Sequence, residues 1–146
     1  MDNQNFTFSF MVDQTPREAF DAINNVRGWW TGLYSEEIEG STEKLDDEFT
    51  FRAGGGVHYS KHKLIEVIPD KKVVWLVTDS KLTFVKDQSE WSGTKIIFDI
   101  SKQGDKTQVC FTHVGLVPDF ECYNDCSNVW GNYLQNRLMN LITIGD

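Results

Sequence analysis

The side chains able to do acid–base chemistry are His58, His62, His113, Tyr59, Tyr133 and Glu121. In a pocket such groups move protons for cyclases and hydrolases. The chain has no Gly-x-Ser-x-Gly elbow, and no Ser or Cys stands with a His and an acid in a triad order. His113 is the best single candidate, because it shares one face of a strand with Val109 and Phe111. A histidine placed this way reads as structural, hydrogen-bonded near the turn at Gly115, rather than as a base. No catalytic residue is assigned.

Metal chemistry has weaker support. His58 and His62 fall on the same side of an extended segment, about 13 Å apart at strand rise, too far for one ion. Cys122 and Cys126 are spaced to share a helical face, and His113 could join them on zinc. That pair lacks Cys-x2-Cys spacing and has no evident fourth ligand, so the thiols read as ordinary buried cysteines. Gly54-Gly55-Gly56 lacks the Lys-Ser/Thr of a phosphate loop and is followed by strand rather than helix, which makes it a turn. Neither metal nor cofactor is expected.

Aromatic residues carry the positive reading. Five Trp, four Tyr and ten Phe make 13% of the chain, enough both to fill a core and to line a cavity. Trp29, Trp30, Trp75, Phe98, Phe111, Trp130 and Tyr133 are the candidate lining, with His113, Tyr133 and indole N–H groups able to orient a guest.

The elements that must position these residues follow from periodicity. Phe6, Phe8, Phe10 and Val12 alternate with Thr7, Ser9 and Met11, a strand with one buried face. Thr15-Pro16-Arg17-Glu18 starts a helix: Thr15 caps it, Pro16 suits the first turn, and Glu18 completes a capping box. Asn24-Asn25 and Gly28 end or bend this helix, and Trp29-Trp30 falls on a short second helix or turn. Short strands are expected around Glu36–Glu39 and Glu48–Arg52, then a long one over Val57–Ile68 and another over Val73–Thr78. Asp79–Trp91 is polar apart from Leu82–Val85 and reads as an excursion. Thr94–Ser101 and Thr107–Val114 form a hairpin turning at Gln103-Gly104-Asp105-Lys106. Trp130, Tyr133, Leu134, Leu138, Leu141 and Ile142 then recur at helical spacing, with Gly145 placed as a C-cap. Gly131 inside this stripe costs about 1 kcal/mol relative to Ala unless close approach to the sheet requires it. A sheet this long with one main helix must curl around it.

These segments resemble the START-like (SRPBCC) superfamily, and within it the domain named after the activator of the Hsp90 ATPase (AHSA1-like). FTFSFMVDQTPREAFDAINNVRGWW is similar to the family's first strand, Pro-containing helix start and tryptophan pair. KKVVWLVTD, EWSGTKIIFDI and KTQVCFTHVGL are similar to its central strands, and VWGNYLQNRLMNLITIGD to its closing helix. The resemblance implies an α+β helix-grip (Bet v 1-like) fold over residues 1–146 as one domain. A curved antiparallel sheet of about six or seven strands would wrap a long C-terminal helix, with two short helices after the first strand. Relatives often end in a Thr-Gly-Lys-Gly-like tail, where this chain reads Thr143-Ile144-Gly145-Asp146. The eukaryotic co-chaperone has a further N-terminal domain with its main Hsp90 contacts, for which 146 residues leave no room. An Hsp90-activating role is therefore not implied.

Acidic residues exceed basic ones by 22 to 14, a formal charge of −8 that disfavours nucleic acid and anionic membrane surfaces. No segment has the roughly 20 apolar residues of a membrane span. The first residues lack a signal-peptide layout, and three cysteines suit a reducing compartment, so a cytoplasmic protein is expected. The leading expectation is a binding module for a hydrophobic or aromatic small molecule between sheet and C-terminal helix. Two alternatives stand beside it: a stress-related or co-chaperone-like interaction protein, and a cyclase- or hydrolase-type enzyme using the same cavity. Homodimer formation and a chaperone partner stay open.

Overall fold

The computed structural model describes residues 5–31, 35–83, 86, 91–116 and 123–144. Seven strands form one antiparallel sheet: β1 (Phe6–Val12), β2 (Glu37–Gly40), β3 (Glu48–Ala53), β4 (His58–Ile68), β5 (Lys72–Leu82), β6 (Lys95–Gln103) and β7 (Lys106–Val114). Their order in space is β1-β7-β6-β5-β4-β3-β2. Only β1 departs from neighbour-to-neighbour meandering: it crosses to pair with β7, placing Phe8 opposite Phe111. Phe111 in turn faces Phe98 on β6. Register shifts between Lys61 and His62 and between Leu64 and Glu66 bend β4 against β5, and bulges of this kind raise the local twist that lets a sheet curl.

Two short helices, α1 (Pro16–Asn24) and α2 (Val26–Trp29), separate β1 from β2. The capping box forms in full: the Thr15 side chain accepts from the Glu18 N–H at 3.2 Å, and the Glu18 carboxylate accepts from the Thr15 N–H at 2.9 Å. Gly28 permits a tight approach of α2 to the closing helix, because a Cβ there would stand 3.0 Å from Leu141 Cδ2 and 2.6 Å from Asn25 Nδ2.

The closing helix, α3 (residues 123–144), carries its apolar stripe into the concave side of the sheet. Trp130, Tyr133, Leu134, Leu138, Leu141 and Ile142 are all buried. Tyr133–Leu138 is wound wider than an α-helix, closing with the Met139 N–H bonded to the Leu134 carbonyl, five residues back. Such turns have no simple sequence signature and are frequent at functional sites. Gly131 needs no close approach: nothing lies within 4 Å of where its Cβ would be. Gly145, expected as the C-cap, lies outside the described residues.

Strand lengths differ from the sequence expectation mainly at β5, which runs on to Leu82 rather than stopping at Thr78. After Val73, Trp75 and Val77 the inward positions shift by one residue to Ser80 and Leu82, at the register shift opposite Lys61 and His62, and the backbones of Ser80 and Leu82 still pair with Ser60 and His58 of β4. Among the described residues no helix is long and apolar enough to cross a membrane.

Candidate functional site

An apolar cavity of about 200 Å³ lies between the β3–β4 corner and the first half of α3. Alternation along β3 turns Phe49, Phe51 and Ala53 inward. The chain then reverses through Gly54–Gly56, where positive φ angles of 63°, 72° and 101° favour glycine at each position. Val57 follows, 45% exposed and so at the rim, and His58 enters β4 opposite Ala53. From α3, Cys126, Val129, Trp130 and Tyr133 reach the cavity at spacings of three, one and three, a single helical face. Trp30, just past α2, and Trp91, just before β6, complete the wall.

The wall is mostly rings. Trp30 stacks on Phe51 at 4.2 Å and leans on Trp130 at 5.0 Å; Trp91 lies parallel to Trp130 at 5.9 Å; Tyr133 stands edge-on to both Trp30 and Phe51. Among the described residues, no Lys, Arg, Asp or Glu lines it. The Tyr133 hydroxyl donates to the Glu36 carboxylate, which brings one acid to the edge of the ring cage. A larger depression of about 420 Å³ lies beside α1 and α2 but is lined by Asp21, Asn24, Arg27 and Glu43. Its guanidinium is engaged by the Ile38 and Gly40 carbonyls at 3.2 and 2.9 Å. The smaller cavity is the more apolar of the two.

His113 stands behind the cavity in a closed relay. The Trp130 indole N–H donates to His113 Nδ1 at 3.1 Å. An indole N–H can only donate, so Nδ1 carries no proton and Nε2 does. Nε2 then donates to Thr94 Oγ1 at 2.8 Å, and Thr94 passes its own proton to the Trp91 carbonyl at 2.6 Å. Both ring nitrogens of His113 are used, and its side chain is wholly buried. Burial, with a smaller push from His58, pulls the imidazole down to about 3, so it is neutral at neutral pH. It holds Trp91 and Trp130, two walls of the cavity, in fixed relation.

The other two histidines are neutral as well. Burial draws His58 down to about 4; its Nε2 lies 3.3 Å from Ser60 Oγ, and its ring meets Trp91 edge-on at 4.6 Å. His62 is fully buried and neither ring nitrogen has a hydrogen-bond partner. It stacks on Phe49 at 4.6 Å, and burial, then His58 and His113, hold it well below the ordinary histidine range. No group of three or more His, Cys, Asp or Glu able to hold a metal occurs among the described residues. Cys122 and Glu121 lie outside them.

Of the aromatic residues singled out from sequence, Trp30, Trp130 and Tyr133 stand at the cavity wall. Trp29, Trp75, Phe98 and Phe111 are packed in the core, where Trp29 donates to the Ile23 carbonyl at 3.0 Å and Trp75 to Thr42 Oγ1 at 2.7 Å. Phe51, Ala53, Val57, Trp91, Cys126 and Val129 also line the cavity and were not singled out. Alternation on β3 would have found Phe51 and Ala53. Trp91, alone in a polar stretch, had no periodic neighbour to mark it.

The solution structure of the Aha1 dimer from Colwellia psychrerythraea superimposes with a TM-score of 0.75 at 23% identity, covering 97% of this chain and 98% of that one. This is the helix-grip fold. The crystal structure of protein CV1439 from Chromobacterium violaceum gives 0.73 at 12% identity, covering 95% and 96% of the two chains. Protein MLL2253 from Mesorhizobium loti gives 0.69 at 15%, covering 96% and 98%. No family model matches the sequence, and no curated protein matches it either. The helix-grip domain thus shares its architecture with proteins of largely different sequence.

Proposed function

We propose that this helix-grip domain binds a compact apolar or aromatic small molecule in the cavity between the β3–β4 corner and α3. The observation that carries the reading is the lining itself: Trp30, Phe51, Val57, Trp91, Val129 and Trp130 border about 200 Å³, and among the described residues no charged side chain lines it. Apolar surface that water wets poorly gains free energy when a guest covers it. A site smaller than the roughly 300–1,000 Å³ of drug-sized ligands takes a molecule on the order of ten non-hydrogen atoms.

The test is native mass spectrometry of the purified chain together with a thermal-shift screen of small aromatic compounds. Binders should raise the melting temperature of the natural protein and lose their effect on Val129→Phe, which fills the cavity from α3. A screen in which no compound shifts the melting temperature, with no co-purifying molecule, overturns the reading. A homodimer is a further proposal, supported by likeness to a fold relative described as a dimer; sedimentation velocity across a concentration series tests it.

A further inference from the structure

We propose that Arg27 closes the free edge of β2 against strand addition by a second copy of this chain. The proposal stands independently of what the cavity holds. β2 lies at one end of the sheet order, and among the described residues it pairs only with β3. An end strand offers unpaired N–H and C=O groups to any other strand, its own copy included. The ladder fixes which groups those are. Ser41 N–H donates to the Glu48 carbonyl at 3.2 Å, so by alternation Glu39 and Glu37 also bond to β3. The alternate residues Ile38 and Gly40 then turn their backbone groups to the free edge.

Arg27 meets both carbonyls on that edge. Its Nη2 donates to Ile38 at 3.2 Å and to Gly40 at 2.9 Å. These are the acceptors that an added strand would need, and a guanidinium has enough N–H groups to hold both at once. Buried Val26 and Trp29 anchor α2 on either side of Arg27, and Thr31 Oγ1 donates to the Arg27 carbonyl at 2.8 Å. The side chain therefore starts from a fixed backbone. Glu37 and Glu39 act in the same direction. Both are exposed, and two copies paired along this edge would bring the carboxylates of both to one join, where like charges repel. The guarded edge is one strand from the cavity, since Ile38 lies opposite Phe51 of the wall.

The test is amide hydrogen exchange, read residue by residue by NMR from micromolar to millimolar concentration, with sedimentation velocity alongside. In the natural protein the Ile38 and Gly40 amides should exchange at a rate independent of concentration. In the triple variant Arg27→Met, Glu37→Thr, Glu39→Thr, the same amides should slow by about ten-fold or more at millimolar concentration, as a dimer forms. Methionine keeps an apolar stem and a good helix former on α2. Arg27→Gln, whose amide is too short to span both carbonyls, takes its place in the triple variant should that one not fold. The double variant Glu37→Thr, Glu39→Thr, with Arg27 kept, should behave as the natural protein does. Concentration-dependent protection of Ile38 and Gly40 in the natural protein or in the double variant overturns the proposal. So does a folded triple variant whose two amides keep the natural rate. The amides decide the matter, because a homodimer formed through another surface leaves them unprotected.

Discussion

Acidification from pH 7.5 to 5.0 should destabilise this protein through its histidines, all three of which are held neutral by burial. The unfolded chain titrates its histidines near 6.5. In the folded chain His113 titrates near 3 and His58 near 4, so the folded state resists a proton that the unfolded state accepts. Their contribution is therefore complete above about pH 6.5 and is lost as the pH falls toward the folded values. For His113, wholly buried, the loss at pH 5 is about 2 kcal/mol, from 1.36 kcal/mol for each unit below 6.5. His58, whose ring is partly exposed, adds in the same direction by less than its shift suggests, and His62 adds in that direction too. Against a typical total stability of about 5–15 kcal/mol this is a large fraction. Asp47 does not contribute in this window: the backbone N–H groups of Glu43 and Lys44 lower its carboxyl below 3.8, so its effect begins only in stronger acid.

The assay is urea unfolding monitored by tryptophan fluorescence and circular dichroism at half-unit steps of pH. The expected loss at pH 5.0 is at least about 2 kcal/mol, or a fall in melting temperature of about 5 °C or more. His113→Gln keeps an acceptor for Trp130 and a donor for Thr94 but cannot titrate. Its stability should vary with pH by one proton less, about 1.4 kcal/mol less per pH unit between 5 and 6. A stability that changes by under about 1 kcal/mol between pH 7.5 and 5.0 would falsify the neutral, desolvated state of these rings. So would a His113→Gln slope equal to that of the natural protein.

Other expectations are simpler. Thr15→Ala removes the side-chain half of the capping box and should cost about 1 kcal/mol in urea unfolding. Gly131→Ala should instead stabilise by about 0.5–1 kcal/mol, because its Cβ enters open space beside a helical backbone; a loss in melting temperature would show that the space is not open. Thr42→Val leaves the buried Trp75 N–H without its acceptor at 2.7 Å and should cost about 1–3 kcal/mol, visible as a lower urea midpoint.

Local rules made much of the architecture legible. The capping box over Thr15–Glu18, the alternation on β1, the hairpin turning at Gly104-Asp105 and the six-residue stripe on α3 all involve residues close in sequence. Each is decided by backbone geometry and burial of one face, which a linear pattern records. The wide turn at Tyr133–Leu138 is different, since residues that favour an ordinary helix occupy it and only packing selects the looser winding. The reach of β5 to Leu82 likewise depends on a partner strand rather than on its own composition.

Within the site, periodicity says which face of an element a residue occupies but not how deep it lies. Trp75 and Phe51 both turn inward, yet Trp75 is enclosed by Phe49 and Phe98 while Phe51 meets the cavity. Depth is set by the curvature of the sheet, and that is a property of seven strands together. His113 shows the same division. Its inward direction follows from sharing a face with Phe111, whereas its role as a fixed link follows only when Trp91 and Thr94, 22 and 19 residues upstream, and Trp130, 17 downstream, close around it. The relay holds the Trp130 indole by its N–H and the Trp91 backbone by its carbonyl, so a guest that shifted that indole or that stretch of backbone would have to break one of these hydrogen bonds. The cavity should therefore bind by fitting a preformed space, and its preference among guests should follow ring chemistry more than induced opening.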